Sequence, residues 1–311
     1  MTIPGPRRHP AARIILITWL GMAGFFCLNL PSAYSCASCG SGGDDPLILY
    51  PNESDKILVA AARTAGLRNI DMNGSEATAG GPTERHAFTL AYGRSFSMRS
   101  FATLTLPMLR NAREGTAKTA VGDPSFATRY TLHMASLTNP WVPQVQILAG
   151  FKPGLARSIQ ETQDPKGLLD VFGTGFSEMR AGLDLWLAQF DQKVGMAQTF
   201  SLPLPSKFDG TTYTPGIISR STLTLGYQWL HDAKTLVGMN REQRGELRAA
   251  GAAIPNSDQL NYAIFTTQDW LPDEHSMFRL TLSQQAAFGK NKNTARSSTI
   301  TVVYQRSIIR S

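Results

Sequence analysis

Apolar and polar residues alternate one for one over stretch after stretch of this chain. In "STLTLGYQWL", Leu223, Leu225, Tyr227 and Trp229 fall on one side of an extended backbone, and Thr224, Gly226 and Gln228 fall on the other. The same period sets Phe88, Leu90 and Tyr92 against Thr89, Ala91 and Gly93, and Phe126, Tyr130 and Leu132 against Arg129, Thr131 and His133. Later, Met179, Leu183 and Leu185 oppose Arg180, Gly182 and Asp184, while Phe278 and Leu280 oppose Arg279 and Thr281. About twelve such segments read as strands. They lie near 57–70, 84–97, 98–110, 123–137, 142–152, 177–190, 192–203, 217–231, 233–241, 259–270, 275–287 and 297–308, the first and ninth alternating least. No stretch of comparable length carries a helical period, although "REQRGELRAAGAA" is expected to form a short helical turn within a loop.

The connections between segments alternate in length. Those after the odd segments are long, such as "DMNGSEATAGGPT" and the stretch from Lys152 to Phe176, and those after the even ones are short, such as "DQ" and "DA". This parity is expected of a membrane barrel with long outer loops and short periplasmic turns. Several segments reach the ~9 to 11 residues that cross a bilayer at a tilt, and Tyr92, Tyr227, Trp229, Trp270 and Tyr304 fall near segment ends, where interfacial rings sit. A secreted β-sandwich would satisfy the alternation but needs no such parity. The expectation is an all-β fold: a transmembrane antiparallel up-and-down β-barrel of about twelve strands, following a cleaved signal peptide.

The amino-terminal end supports export. Arg7, Arg8 and Arg13 precede the apolar run Ile14 to Leu30, and Ala33-Tyr34-Ser35 supplies a small-residue cleavage site. The organisation read from this is a signal peptide over 1–35, a cysteine-containing periplasmic tether over 36–56 and an outer-membrane barrel over 57–311. A retained membrane anchor is the other reading of the apolar run. Net charge is +7, of which the three leader arginines supply part, and the remainder is too scattered to mark a nucleic-acid surface. Cys36 and Cys39, in "CASCG", are open to a disulfide, to lipidation of Cys36 or to weak metal ligation; two thiols alone fall short of a structural zinc site. No cofactor is expected.

"GDPSFATRYTLH" followed by "ILAGFKPGLARSIQETQDPKGLLDVFGTGFSEMRAGLDLWL" resembles a family of bacterial outer-membrane barrels, a channel or transporter family named for the meta-pathway of phenol degradation. The matching residues are Gly122 and Asp123, then Lys152, Pro153 and Gly154, then Gly173, Thr174 and Gly175. The Thr that the family carries between Pro153 and Gly154 is missing, and "VVYQRSIIRS" lacks the terminal aromatic residue common in such barrels. The resemblance implies passage or sensing of small compounds.

On the polar rows, Arg94, Arg129, His133, Arg180, Asp184, Lys193, Gln228 and Arg279 are the candidate pore lining. Ionised groups of both signs there would filter solutes by charge or brace the wall as salt bridges. An ionised side chain on the lipid row would cost roughly 2–4 kcal/mol at the midplane, so the apolar rows should carry none. The function expected is an outer-membrane channel or transporter for small solutes with a narrow mixed-charge lumen. The alternatives are a non-conducting structural or interaction barrel and, further off, an outer-membrane hydrolase using His133 or His231. No nucleophile motif accompanies either histidine, and catalysis is not expected. Expected partners are outer-membrane lipid, an unidentified small solute and a periplasmic partner docked on the tether, with no nucleic acid.

Overall fold

The computed structural model describes residues 53–77, 82–134, 141–164, 168–189, 191–230 and 232–309. The signal peptide, Cys36, Cys39, most of the tether and His231 lie outside these residues. Twelve antiparallel strands carry the fold: β1 (Glu53–Ile70), β2 (Glu84–Ser97), β3 (Ser100–Arg113), β4 (Ser125–His133), β5 (Gln144–Lys152) and β6 (Glu178–Gln189) form the first half. The second half is β7 (Gln192–Pro203), β8 (Ile218–Leu230), β9 (Ala233–Arg244), β10 (Gln259–Trp270), β11 (Ser276–Gln285) and β12 (Thr294–Ile309). Each strand pairs with the next, and β12 pairs with β1 from Glu53↔Ile309 to Ile70↔Thr294, so the sheet closes on itself. Two short strands, Glu76–Ala77 and Thr116–Val121, extend its rim.

Alternation decides which side of this sheet each residue faces. On β1, Leu58 is 0% exposed while its neighbour Ile57 is 47% exposed, and the cross-strand partners of each carry the same contrast around the barrel. Phe88, Leu90, Leu104, Leu106, Met196, Leu225, Val237, Ile264, Leu280 and Val302 all stand exposed on the outer face. A closed barrel with this apolar exterior is a transmembrane β-barrel, because hydrocarbon accepts greasy side chains but no unpaired backbone edge. The weak alternation of β1 has a simple cause. Its inner row contains Leu58 and Ala60, which join Ala91, Phe101 and Val303 in a buried apolar cluster on the luminal side.

The outer face ends differently at the two rims. At the short-turn end, Tyr227 meets Trp229 edge-on at 4.5 Å, and Phe278 lies between Trp270 at 5.7 Å and Tyr304 at 5.0 Å, an aromatic girdle. Arg94 also belongs here, which corrects its placement in the lumen. It shares the parity of Phe88, Leu90 and Tyr92, its side chain is 66% exposed, and it approaches Asp55 on the outer face. At the long-loop end, Arg63, His86 and Arg110 stand side by side in cross-strand register on the outer face, and Glu84 binds Arg63 at 2.6 Å. The outer rows are therefore not free of charge, but their charges sit at the rims, where the cost of ionisation falls.

Connections 71–83, 114–124, 153–177, 204–217, 245–258 and 286–293 occupy one end of the barrel, and 98–99, 134–143, 190–191, 231–232 and 271–275 the other. The length parity is looser than the sequence suggests, since 134–143 outruns 286–293. The segment expected to turn helically is extended instead. Arg241–Arg244 completes β9, and Arg248–Ala249 and Ala252–Ala253 form a hairpin closed by Ala250 and Gly251, at φ 49 and 84. Two consecutive positive φ values give the tight turn whose twist matches paired strands. This hairpin joins Ser206–Phe208 and Thr211–Thr214 in a separate four-stranded sheet beyond the barrel.

Placing a charge on the outer row tests this architecture. Leu225→Arg, at the middle of β8, should lower unfolding stability in vesicles by about 2–4 kcal/mol, whereas Thr224→Arg on the inner row should not carry that lipid penalty; equal losses would contradict the assignment of faces.

Candidate functional site

With its apolar rows turned outward, the barrel gathers its buried ionised side chains inside. Near the short-turn end, Asp269 is fully buried between Arg279 at 2.6 Å and Lys234 at 3.3 Å, and Glu53 binds Lys56 at 2.8 Å. Midway, Arg129 and Asp184 form an ion pair between β4 and β6. Towards the long loops, Glu178 lies between Lys152 at 2.5 Å and Arg180 at 3.7 Å, and Glu242 between Arg220 at 2.6 Å and Arg244 at 2.7 Å. Each of these carboxylates thus faces one or two cations. The Coulombic gain offsets desolvation only where such partners and further hydrogen bonds are in place.

Of the residues singled out in the sequence, Arg129, Arg180, Asp184 and Arg279 belong to these groups. Lys193 is inward too, its ammonium 4.4 Å from the centre of the Trp186 ring. Gln228 shares the inner parity of Thr224 and Gly226, next to the short turns. His133 ends β4, where a register shift after Thr131 sets it opposite Val145, on the outward row of Ile147 and Phe151; it is exposed, with Nδ1 3.0 Å from the carbonyl of Pro143, which corrects its placement in the pore lining. The sequence reading missed the other members of these groups: Glu53, Lys56, Lys152, Glu178, Arg220, Lys234, Glu242, Arg244 and Asp269.

At the long-loop end, the loop 153–177 folds inward against the barrel wall. Arg85 on β2 and Asn111 on β3 both point into the lumen and are buried. Asn111 Nδ2 donates to the carbonyls of Leu169 and Val171 at 3.2 and 2.9 Å, and Arg85 Nη2 donates to that of Val171 at 3.2 Å. These bonds draw the far side of the loop down against the inner wall, where Leu169, Val171, Phe172 and Phe176 are buried. Phe176 meets Phe208 of the next long loop edge-on at 5.4 Å.

The Gly-Asp, Lys-Pro-Gly and Gly-Thr-Gly stretches converge at the root of this loop. Asp123 Oδ1 accepts the backbone N–H of Leu155 and of Ala156 at 2.9 and 2.8 Å, and Oδ2 accepts that of Thr174 at 3.2 Å. One carboxylate therefore ties the start of the loop to its end. Glycine is needed where the two strands of the loop cross, because a Cβ on Gly154 would lie 2.5 Å from the Phe176 backbone and one on Gly173 2.6 Å from Asp123 Oδ2. The missing Thr after Pro153 does not prevent this closure.

Within the loop, Asp170 is a second fastening. Burial raises its carboxyl, but hydrogen bonds from Thr162 Oγ1, the Gln163 N–H and Arg157 Nη1 outweigh it and hold the group down at about 2, against the ordinary 3.8.

No protein-family model and no curated protein sequence matches the chain. Among solved structures, an outer-membrane channel from Pseudomonas putida F1 is similar in fold, with TM-score 0.63 and 11% identity over 86% of this chain and 100% of that one. Looser likeness extends to the NanC porin, at TM-score 0.48 and 9% identity over 81% of this chain and 100% of the other. The likeness is one of fold.

Two measurements test the loop's fastenings. Asp123→Ala should free about 1.5 kcal/mol or more of charge-assisted bonding, so amide exchange across 154–176 should quicken roughly tenfold with the barrel amides unchanged; uniform exchange would show that Asp123 is not the tie. Because the Asp170 pKa is depressed, its contribution is complete above the ordinary 3.8 and is lost as pH falls towards about 2. A spin label at exposed Leu155 should keep its mobility from about pH 8 to about pH 5 and gain mobility only below about pH 4, while Asp170→Asn should be mobile at neutral pH.

Proposed function

We propose that the chain is an outer-membrane channel for small solutes, with its long-loop end outward and the loop 153–177 as the constriction of its outer mouth. The observation that carries this reading is the segregation of charge: apolar side chains cover the outer face, and ion pairs at three heights line the inner one. A barrel of twelve strands lies between side-chain-filled barrels of about eight and open porins of about sixteen, so its aperture suits small molecules. The similar fold of an outer-membrane channel supports the same reading. So does the convergence of the motif residues on Asp123, which is why we place the chain in the channel family named for the meta-pathway of phenol degradation. The reading includes export by the segment 1–35, a surround of outer-membrane lipid, and the tether as a periplasmic docking point.

One observation favours a second reading, a non-conducting barrel. Leu58, Ala60, Ala91, Phe101 and Val303 form a buried apolar cluster on the luminal side, as in a barrel braced by its own filling.

Planar-bilayer recording separates the two. A channel gives discrete single-channel steps, and Arg85→Ala combined with Asn111→Ala, which releases the loop, gives larger steps. A chain that is folded by heat-modifiable migration yet silent in the bilayer, with or without the loop's anchors, is the non-conducting barrel.

A further inference from the structure

We propose that the lumen selects small anionic solutes such as carboxylates and phosphate; this rests on the channel reading above. The five ion-pair groups inside the barrel contain five carboxylates and eight cations. Arg85 and Lys193 add two further inward cations, so the inward basic groups named here outnumber the acidic ones, ten to five.

Exposure sharpens the imbalance. Asp269 is 0% exposed, but the Lys234 and Arg279 that cover it are 23% and 25% exposed. Glu178 is 4% exposed behind Lys152 at 14% and Arg180 at 12%. Glu242, at 22%, is level with Arg220 at 25% and Arg244 at 16%, and is outnumbered. The Glu53–Lys56 and Arg129–Asp184 pairs are closed on both sides, at 9% or less, and contribute little field. The carboxylates are thus held against the wall, and the charge left facing the lumen is positive near both ends.

A lumen walled by low-dielectric sheet focuses such a field, and rings of Arg and Lys favour anions for this reason. The Arg members also offer planar forks that match carboxylate and phosphate oxygens. A cation would gain little in return, because every strand carboxylate named here already faces a basic partner.

The test is a reversal potential. The full chain, reconstituted in neutral lipid under a tenfold KCl gradient, should give the sign of chloride preference, with a permeability ratio above about 2. The preference should shrink as salt rises from about 0.1 M to about 1 M, where screening shortens from about 10 Å to about 3 Å. Lys193→Glu should move the potential towards potassium, and Asp269→Asn should move it further towards chloride. Liposome swelling should be faster with acetate than with an ammonium solute of similar size. A conducting chain that prefers potassium, or shows no preference at low salt, overturns the anion assignment, as does selectivity that neither variant shifts in folded protein. Absence of any conductance overturns the channel reading instead.

Discussion

In hydrocarbon a backbone N–H or C=O without a partner costs several kcal/mol, and the pairing of β12 with β1 is the contact that removes the last unpaired edges. Because that seam runs nearly the whole length of both strands, the sheet has no end at which to fray or to recruit another strand. Closure also fixes every other choice. Once the sheet is closed, the parity of a residue decides whether lipid or lumen receives its side chain, and a polar residue in mid-strand has one destination.

The ion pairs follow from this constraint rather than from any local motif. Inward carboxylates lose much of their hydration and stay ionised only beside cations, so Asp269 sits under Lys234 and Arg279, and Glu178 between Lys152 and Arg180. Four of the inner contacts, Glu178 with Lys152, Glu242 with Arg220, and Asp269 with Lys234 and Arg279, join neighbouring strands and so also pin register across a pair whose backbone bonds alone would tolerate a slip.

The period of two was enough to reveal the strands, and their edges fell within a few residues of the expected ones, because a lipid-facing row must be apolar over its full span. Arg94 was misplaced although its parity was readable: an even-numbered residue in a row with Phe88, Leu90 and Tyr92 faces out, and its position at the rim explains why a charge is tolerated. Asp269 was equally readable, on the face of Thr267, but a lone acid beside Trp270 gives no sign of the two cations that the strands on either side bring to it. Glu242 lay just past the expected end of β9, where the Arg- and Glu-rich run was read as helical. The inward fold of the loop 153–177 was not legible. Asn111 and Arg85 bond to carbonyls of that loop, and main-chain acceptors leave no mark in a sequence.

That last point bears on how the mouth can be specified. Asp123 binds three backbone N–H groups, and Arg85 and Asn111 bind backbone carbonyls, so the path of the loop is held largely through its main chain. Gly154 and Gly173, where chain crosses chain, and Gly175, at φ 72 against Ser158, are committed to glycine by this path. Apart from these glycines and the Asp170 cluster with Thr162 and Arg157, positions of the loop can change without releasing it, and the aperture can be retuned while the barrel and its charged wall stay as they are. A constriction held this way separates two tasks: the wall sets the sign of charge that is favoured, and the loop's side chains set the size and polarity of what reaches the wall.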